Sequence, residues 1–160
     1  TNNRVGIGTS LPDYTLDVRG DTNIVGDLVI QGNLSATGVS TLALSLTSSL
    51  EFGSTYEIRS FSTTVSSTSP TTINTIGIST FRSAKYQIQI TQGTDYQATD
   101  LLVIHNGTTS NLIEYGSIAT NDYLGSFSSQ ISGSDALLQV TMVSSGIATI
   151  TMARHALRVI

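Results

Sequence analysis

The chain has 160 residues, of which 11% are charged, a net charge of −4 and no cysteine. Its seven basic residues are scattered and form no stripe able to track a phosphate backbone, no apolar run approaches the roughly 20 residues that span a bilayer, and disulfides and thiolate metal sites are excluded. Nucleic-acid binding and membrane insertion are therefore not expected. Ser and Thr number 47 against a single lysine; with Val, Ile and Tyr common and strong helix formers sparse, the composition points to an all-β chain with almost no helix.

Residues 1–19 read as a small β-hairpin-like element, an attachment piece or shaft cap. Val5 and Ile7 alternate with glycines, Leu11-Pro12-Asp13 makes a turn, and Tyr14, Leu16 and Val18 alternate with polar residues as a half-buried strand. From there glycine recurs every six residues, at Gly20, Gly26, Gly32 and Gly38. Ile24, Ile30, Ala36 and Leu42 keep one phase and Leu28 and Leu34 another, with Asp21 and Asp27 following glycines. An even period holds each class on one side of a pleated chain, and glycine supplies the corner. Four such units bury too little to stand alone. Three copies wound side by side would bring Ile24, Leu28, Ile30, Leu34 and Leu42 to a common axis, so residues 20–53 are expected to form an intertwined trimeric β shaft with a hexapeptide-like, β-helix-like repeat.

The run Val5 to Asp21, VGIGTSLPDYTLDVRGD, resembles a signature of tailed-phage fibre and appendage proteins, in which it leads into a G-x-L-x-V-x-G-N-L repeat. Leu28-Val29-Ile30-Gln31-Gly32-Asn33-Leu34 follows here in that manner. The stretch from Phe81 to Thr108 also resembles the distal domain of such proteins from cyanophages. The resemblance implies a trimeric virion fibre or appendage, with no chemistry carried over residue by residue.

Residues 41–54 read as extended chain, although Leu42, Leu46 and Leu50 also have helical spacing. A distal domain, 54–160, is expected to be an antiparallel β-sandwich or jelly roll. Its strands fall near 55–62, 71–78, 84–92, 99–105, 109–118, 123–131, 136–143 and 147–159, separated by turn residues. Thr63 to Thr72 reads as a loop or irregular edge, and Asn106-Gly107 as a type I′ turn. Tyr86, Ile88 and Ile90 face one way and Lys85, Gln87 and Gln89 the other; Leu102, Ile104, Leu138, Val140 and Met142 are expected in the core, and Tyr115 and Phe127 in the core or an interface.

Chemistry-bearing patterns are few. Gly6-Ile7-Gly8 lacks the third glycine and the helix of a dinucleotide site, having Leu11 and Pro12 there. His105 and His155 have no metal-ligand spacing within one chain, though copies of one could meet on a trimer axis. The eleven carboxylates are dispersed, whereas a glycosidase needs two across a cleft. No catalytic, cofactor or metal residue is therefore assigned, and the protein is not expected to be an enzyme. Two polar segments with an aromatic remain as receptor-binding candidates: Asp95, Tyr96 and Gln97, and Asn121, Asp122 and Tyr123. A tyrosine face stacks on a sugar while Asp, Asn and Gln hold hydroxyls, although the same residues also suit plain turns.

The sequence thus points to a homotrimeric phage fibre or appendage subunit located on the virion. It would contact other virion proteins through its N-terminal part and adsorb to host-surface polysaccharide. A tailspike-like polysaccharide depolymerase, or a neck or head fibre without receptor binding, is the alternative.

Overall fold

The computed structural model describes residues 3–32, 35, 37 and 49–159. The chain divides into two compact units, Thr1–Ala43 and Leu44–Ile160. Among the described residues every regular element is a β-strand.

In the first unit β1 (Val5–Ile7) and β2 (Leu16–Val18) pair in parallel, with Val5 opposite Leu16. This corrects the hairpin-like reading. The Val5 amide donates to the Thr15 carbonyl at 2.8 Å and the Arg19 amide to the Ile7 carbonyl at 2.9 Å. The chain between them makes a full loop, stitched by Arg4 on the Pro12 carbonyl (3.0 Å) and Arg19 on Asp13 (3.0 Å). Gly8 permits the closure: its φ is +75°, and a Cβ there would lie 2.5 Å from the Arg19 carbonyl oxygen.

No residue from 3 to 32 is buried. Leu11, Tyr14 and Leu16 are 79%, 74% and 61% exposed, and Ile24, Leu28 and Ile30 of the repeat are exposed too. Residues 20–32 contain no strand, against the expectation of repeated short strands. A strand needs hydrogen-bonding partners, and a single copy of this segment offers itself none. The corners do occur at the spacing read from the sequence: Gly20 and Gly26 have φ of 150° and 124°. Leu34 and Leu42 lie outside the described residues.

The second unit consists of β3 (Leu50–Phe52), β4 (Tyr56–Val65), β5 (Thr71–Gly77), β6 (Phe81–Gln92), β7 (Asp95–His105), β8 (Ser110–Ala119), β9 (Gly125–Ser132), β10 (Asp135–Met142) and β11 (Ala148–Arg158). A six-stranded sheet runs β3-β4-β11-β6-β7-β8 and a three-stranded sheet β5-β10-β9, all pairings antiparallel. Buried residues of both sheets form one cluster, including Tyr86, Ile88, Ile90 and Ile150 from the larger and Leu138, Val140 and Met142 from the smaller. The unit is therefore a sandwich of unequal sheets, with the eight expected strands close to their expected positions. Three details differ. β4 continues through Thr63 to Val65, because those residues pair with Ala148–Ile150 of β11 and Val65 is buried. Leu102 and Ile104 face outward at 44% and 51% exposure, while Leu101 and Val103 are buried. The run Leu-Leu-Val-Ile is apolar in both phases, so its own alternation is mute; pairing of Tyr86 with Leu101 and Ala84 with Val103 decides it. Finally, among the described residues no non-glycine has positive φ, which rules out type I′ at Asn106-Gly107. Asn106 instead uses Oδ1 to accept from the amides of Thr108 (2.9 Å) and Thr109 (2.8 Å) in a four-residue loop. The two-residue hairpins are Gly93-Thr94 and Gly133-Ser134, each with glycine first at φ near +60°.

A polar knot lies inside the sandwich. A bulge at Leu138/Gln139 lets both Ile73 and Asn74 of β5 point inward. Asn74 Oδ1 accepts from the Tyr86 hydroxyl (3.0 Å) and from Arg154 (3.1 Å); Arg154 also donates to the Thr75 carbonyl (3.2 Å) and pairs with Glu57. The Arg154 guanidinium lies 5.1 and 5.0 Å from the ring centres of Phe61 and Phe81. Burial pushes the Tyr86 phenol up to about 12, partly offset by the Arg154 charge. Its folded pKa lies above the unfolded value near 10, so the stability it contributes is complete below pH ~10 and is lost as pH rises through 12. Tyr86→Phe is expected to cost about 1 kcal/mol at pH 7 through the lost hydrogen bond. The same variant should lose roughly 2–3 kcal/mol less than wild type between pH ~9.5 and ~12, measured by urea denaturation across that range.

Candidate recognition surface

The two polar segments chosen from the sequence meet. β6–β7 is a tight hairpin and β8 pairs with β7, so the start of β7 and the chain after β8 share one end of the larger sheet. The Tyr96 amide donates to Thr120 Oγ1 (3.0 Å) and the Thr120 amide returns to the Tyr96 carbonyl (2.9 Å). Asn121 Nδ2 donates to Asp95 Oδ1 at 2.5 Å. Tyr96 and Tyr123 are 45% and 56% exposed, and Tyr123 is steadied by its hydroxyl on the Ser117 carbonyl (3.3 Å). Asp122 is exposed beside them.

Gln97 does not belong to this surface. It is 1% exposed, and its amide group is fully used: Oε1 accepts from the amides of Leu124 (2.7 Å) and Gly125 (3.0 Å), while Nε2 donates to the Gly125 carbonyl (3.0 Å) and Thr99 Oγ1 (3.2 Å). Strand alternation explains the correction, since Tyr96 and Gln97 must point to opposite faces.

Beside Tyr96 the outer face of the larger sheet is hollow. A depression of about 660 Å³ is lined from the outward phase by Ser60 and Ser62, Thr151 and Ala153, and Ala98, with Gln87 and Gln89 of the intervening β6 standing between Thr151/Ala153 and Ala98. Two smaller hollows open from it at Ala98, one of about 380 Å³ reaching Tyr96 and Ile118, the other reaching Asp100 and Gly116. Small side chains on β4, β11 and β7 leave this space. The outward phase of Gln87 and Gln89 was legible from β6 alone; the trough was not, because its floor comes from strands far apart in sequence. Further along the same face Leu102, Ile104, Ile113 and Tyr115 are each about half exposed. Tyr115 is thus not in the core, whereas Phe127 packs against it.

The histidines stand apart. His105 is buried and its Nε2 lies 2.8 Å from the Phe81 carbonyl, which fixes that nitrogen as the protonated one; Nδ1 has no partner. His155 faces outward, with Nδ1 against the Tyr56 hydroxyl. Among the described residues no three His, Cys, Asp or Glu side chains are grouped to hold a metal ion. Asp21 and Asp27 are exposed.

Fold and surface together define an all-β, two-sheet domain whose accessible polar groups are mostly hydroxyls, amides and tyrosines. No family model and no curated protein matches the chain. It is similar to parts of three solved phage tailspikes. The tailspike of Acinetobacter baumannii phage AM24 shares 7% identity over 64% of this chain and 26% of that one, with a TM-score of 0.40. The tailspike of Acinetobacter baumannii bacteriophage Fri1, a capsular polysaccharide depolymerase, shares 13% over 68% and 19%, with a TM-score of 0.42. The tailspike of Acinetobacter phage vB_ApiP_P1 shares 16% over 86% and 28%, with a TM-score of 0.39. The chain thus spans under a third of the length of each, and likeness of this order places no residue and assigns no activity.

Proposed function

We propose that this chain is a structural and adhesive subunit of a phage virion, a homotrimeric fibre or tail appendage that contributes to adsorption on host-surface polysaccharide without cleaving it. The adhesive part rests on one observation: the segments bearing Tyr96 and Tyr123 converge on one end of the sandwich with both rings exposed. The assembly part is supported by residues 3–32, none of which is buried among the described residues. Exposed Leu, Ile and Val on a segment without a core call for a partner surface, and a second and third copy supply one of matching register. Other virion proteins would be met through the same N-terminal part. Three weak sugar sites on one assembly then reinforce each other through effective concentration.

Light scattering is expected to give three times the 16.9 kDa chain mass. A monodisperse folded monomer would refute the trimer. Tyr96→Ala and Tyr123→Ala are each expected to weaken polysaccharide binding roughly three- to tenfold per site, the usual worth of one lost aromatic contact, with the thermal transition unmoved. Release of reducing sugar by the purified assembly would replace the adhesive reading with the depolymerase one.

A further inference from the structure

We infer that the trough centred on Ala98, rather than the loop tips alone, is the seat of a neutral saccharide chain, with Tyr96 as the stacking platform at its end. This rests on the adhesive reading above and gives it a site. The main depression, about 660 Å³, has the size of a small-molecule site but is open along its length, which suits an extended polymer crossing the sheet. Its chemistry is uncharged: the outward side chains are serine, threonine and alanine, with two glutamines standing between them on β6. At its edge Asp100, the carboxylate that lines the adjoining hollow, is neutralised by Lys85 at 3.6 Å, and Lys85 lies over the Tyr115 ring at 5.5 Å. A charged glycan would find no counter-charge there, whereas sugar hydroxyls find amides and hydroxyls that both donate and accept.

A second copy of the chain is the rival occupant, and composition decides against it. The cores of protein interfaces are depleted in Ser and Ala and enriched in aromatics; here the side chains of the outward phase are serine, threonine, alanine and glutamine, while Phe61, Ile88 and Met152, which also line the depression, belong to the inward phase and pack in or against the core. The same face does carry a surface of interface type, at Leu102, Ile104 and Ile113, displaced from the trough toward the β8 edge.

Wild type and Ala98→Trp are to be compared on an array of neutral, uronic-acid-bearing and phosphate-bearing bacterial oligosaccharides, with solution mass and thermal transition measured in parallel. Wild type is expected to bind neutral chains. Ala98→Trp, which fills the trough from an exposed position, should bind them about tenfold or more weakly at unchanged mass. Gln87→Ala/Gln89→Ala, which leaves the strands intact, should lower binding several-fold and covers the case in which the tryptophan variant does not fold. Full binding by the glutamine variant, together with full binding by any folded Ala98→Trp, overturns the trough while leaving adsorption through the loops. A change of mass in Ala98→Trp assigns the face to an interface between copies and overturns the inference. Binding confined to charged glycans overturns neutrality, and no binding by wild type overturns this inference and the adhesive reading together.

Discussion

Arg154→Met is expected to lower the unfolding free energy of the sandwich by about 3–5 kcal/mol, a fall in melting temperature on the order of 10–20 °C. The methionine stem fills much of the space and retains contact with Phe61 and Phe81, so a cavity is not the cause. What remains is Glu57, 5% exposed, with its carboxylate no longer paired, and the Thr75 carbonyl without its donor. A buried charge that loses its partner bears its whole desolvation penalty. The double variant Arg154→Met/Glu57→Leu removes that charge and is expected to recover most of the loss, because an apolar replacement of a buried pair is often neutral or better. Urea denaturation of the wild type, both single variants and the double closes the cycle. A single-variant loss under about 1 kcal/mol, or a double variant worse than either single, would show that the knot is not energetically coupled as its geometry implies.

That knot also marks where sequence reading reaches its limit. Strand positions in the sandwich were legible because alternation and turn residues are local signals: Tyr86, Ile88 and Ile90 face inward as read, and so do Leu138, Val140 and Met142. The phase of β7 was not, since Leu101 to Ile104 are apolar on both sides and only the register with β6 breaks the tie. Nor could Arg154 be placed. Its partners lie 80 and 97 residues away, and Asn74 reaches it only through a bulge that no local signal announces. For the candidate surface, the segments around Tyr96 and Tyr123 could be singled out because an aromatic among turn-forming residues is a local signal, while the trough between strands depends on small residues, which leave no pattern of their own. The six-residue repeat is a different case. Its glycine corners occur as read at Gly20 and Gly26, yet its strand character depends on neighbours that one chain does not contain.

Gln97→Ala is expected to destabilise the domain by about 3 kcal/mol or more, despite lying next to the exposed Tyr96 and in a segment that reads as a recognition loop. β9 is an edge strand, and its first residue, Gly125, pairs with Met142 of β10 on one side. On the other side the Gln97 side-chain amide stands in for a neighbouring peptide, taking the Leu124 and Gly125 amides and giving back to the Gly125 carbonyl. Position 125 is also crowded from the β10 side: a Cβ there would lie 3.1 Å from Val140 Cγ2, 3.2 Å from the Thr141 carbonyl and 3.3 Å from Met142 Sδ, so a side chain would oblige β10 to give by a few tenths of an ångström. Truncating Gln97 leaves three buried backbone groups unpaired, each worth roughly 1–3 kcal/mol unless water enters. Gln97→Glu keeps the two acceptor bonds; while protonated its O–H can still make one donation, but on ionising it loses both and buries a carboxylate, so its deficit should grow as pH rises, the opposite of a surface glutamate. Hydrogen exchange distinguishes this tie from generic core damage. The Leu124 and Gly125 amides should exchange far faster in Gln97→Ala while the β6 and β11 amides slow or hasten only with global stability. Equal acceleration throughout would mean that Gln97 contributes packing rather than joining the two sheets. If the tie is real, the loop bearing Tyr123 is held in place from inside the sandwich, and Gln97 acts on recognition only by positioning it.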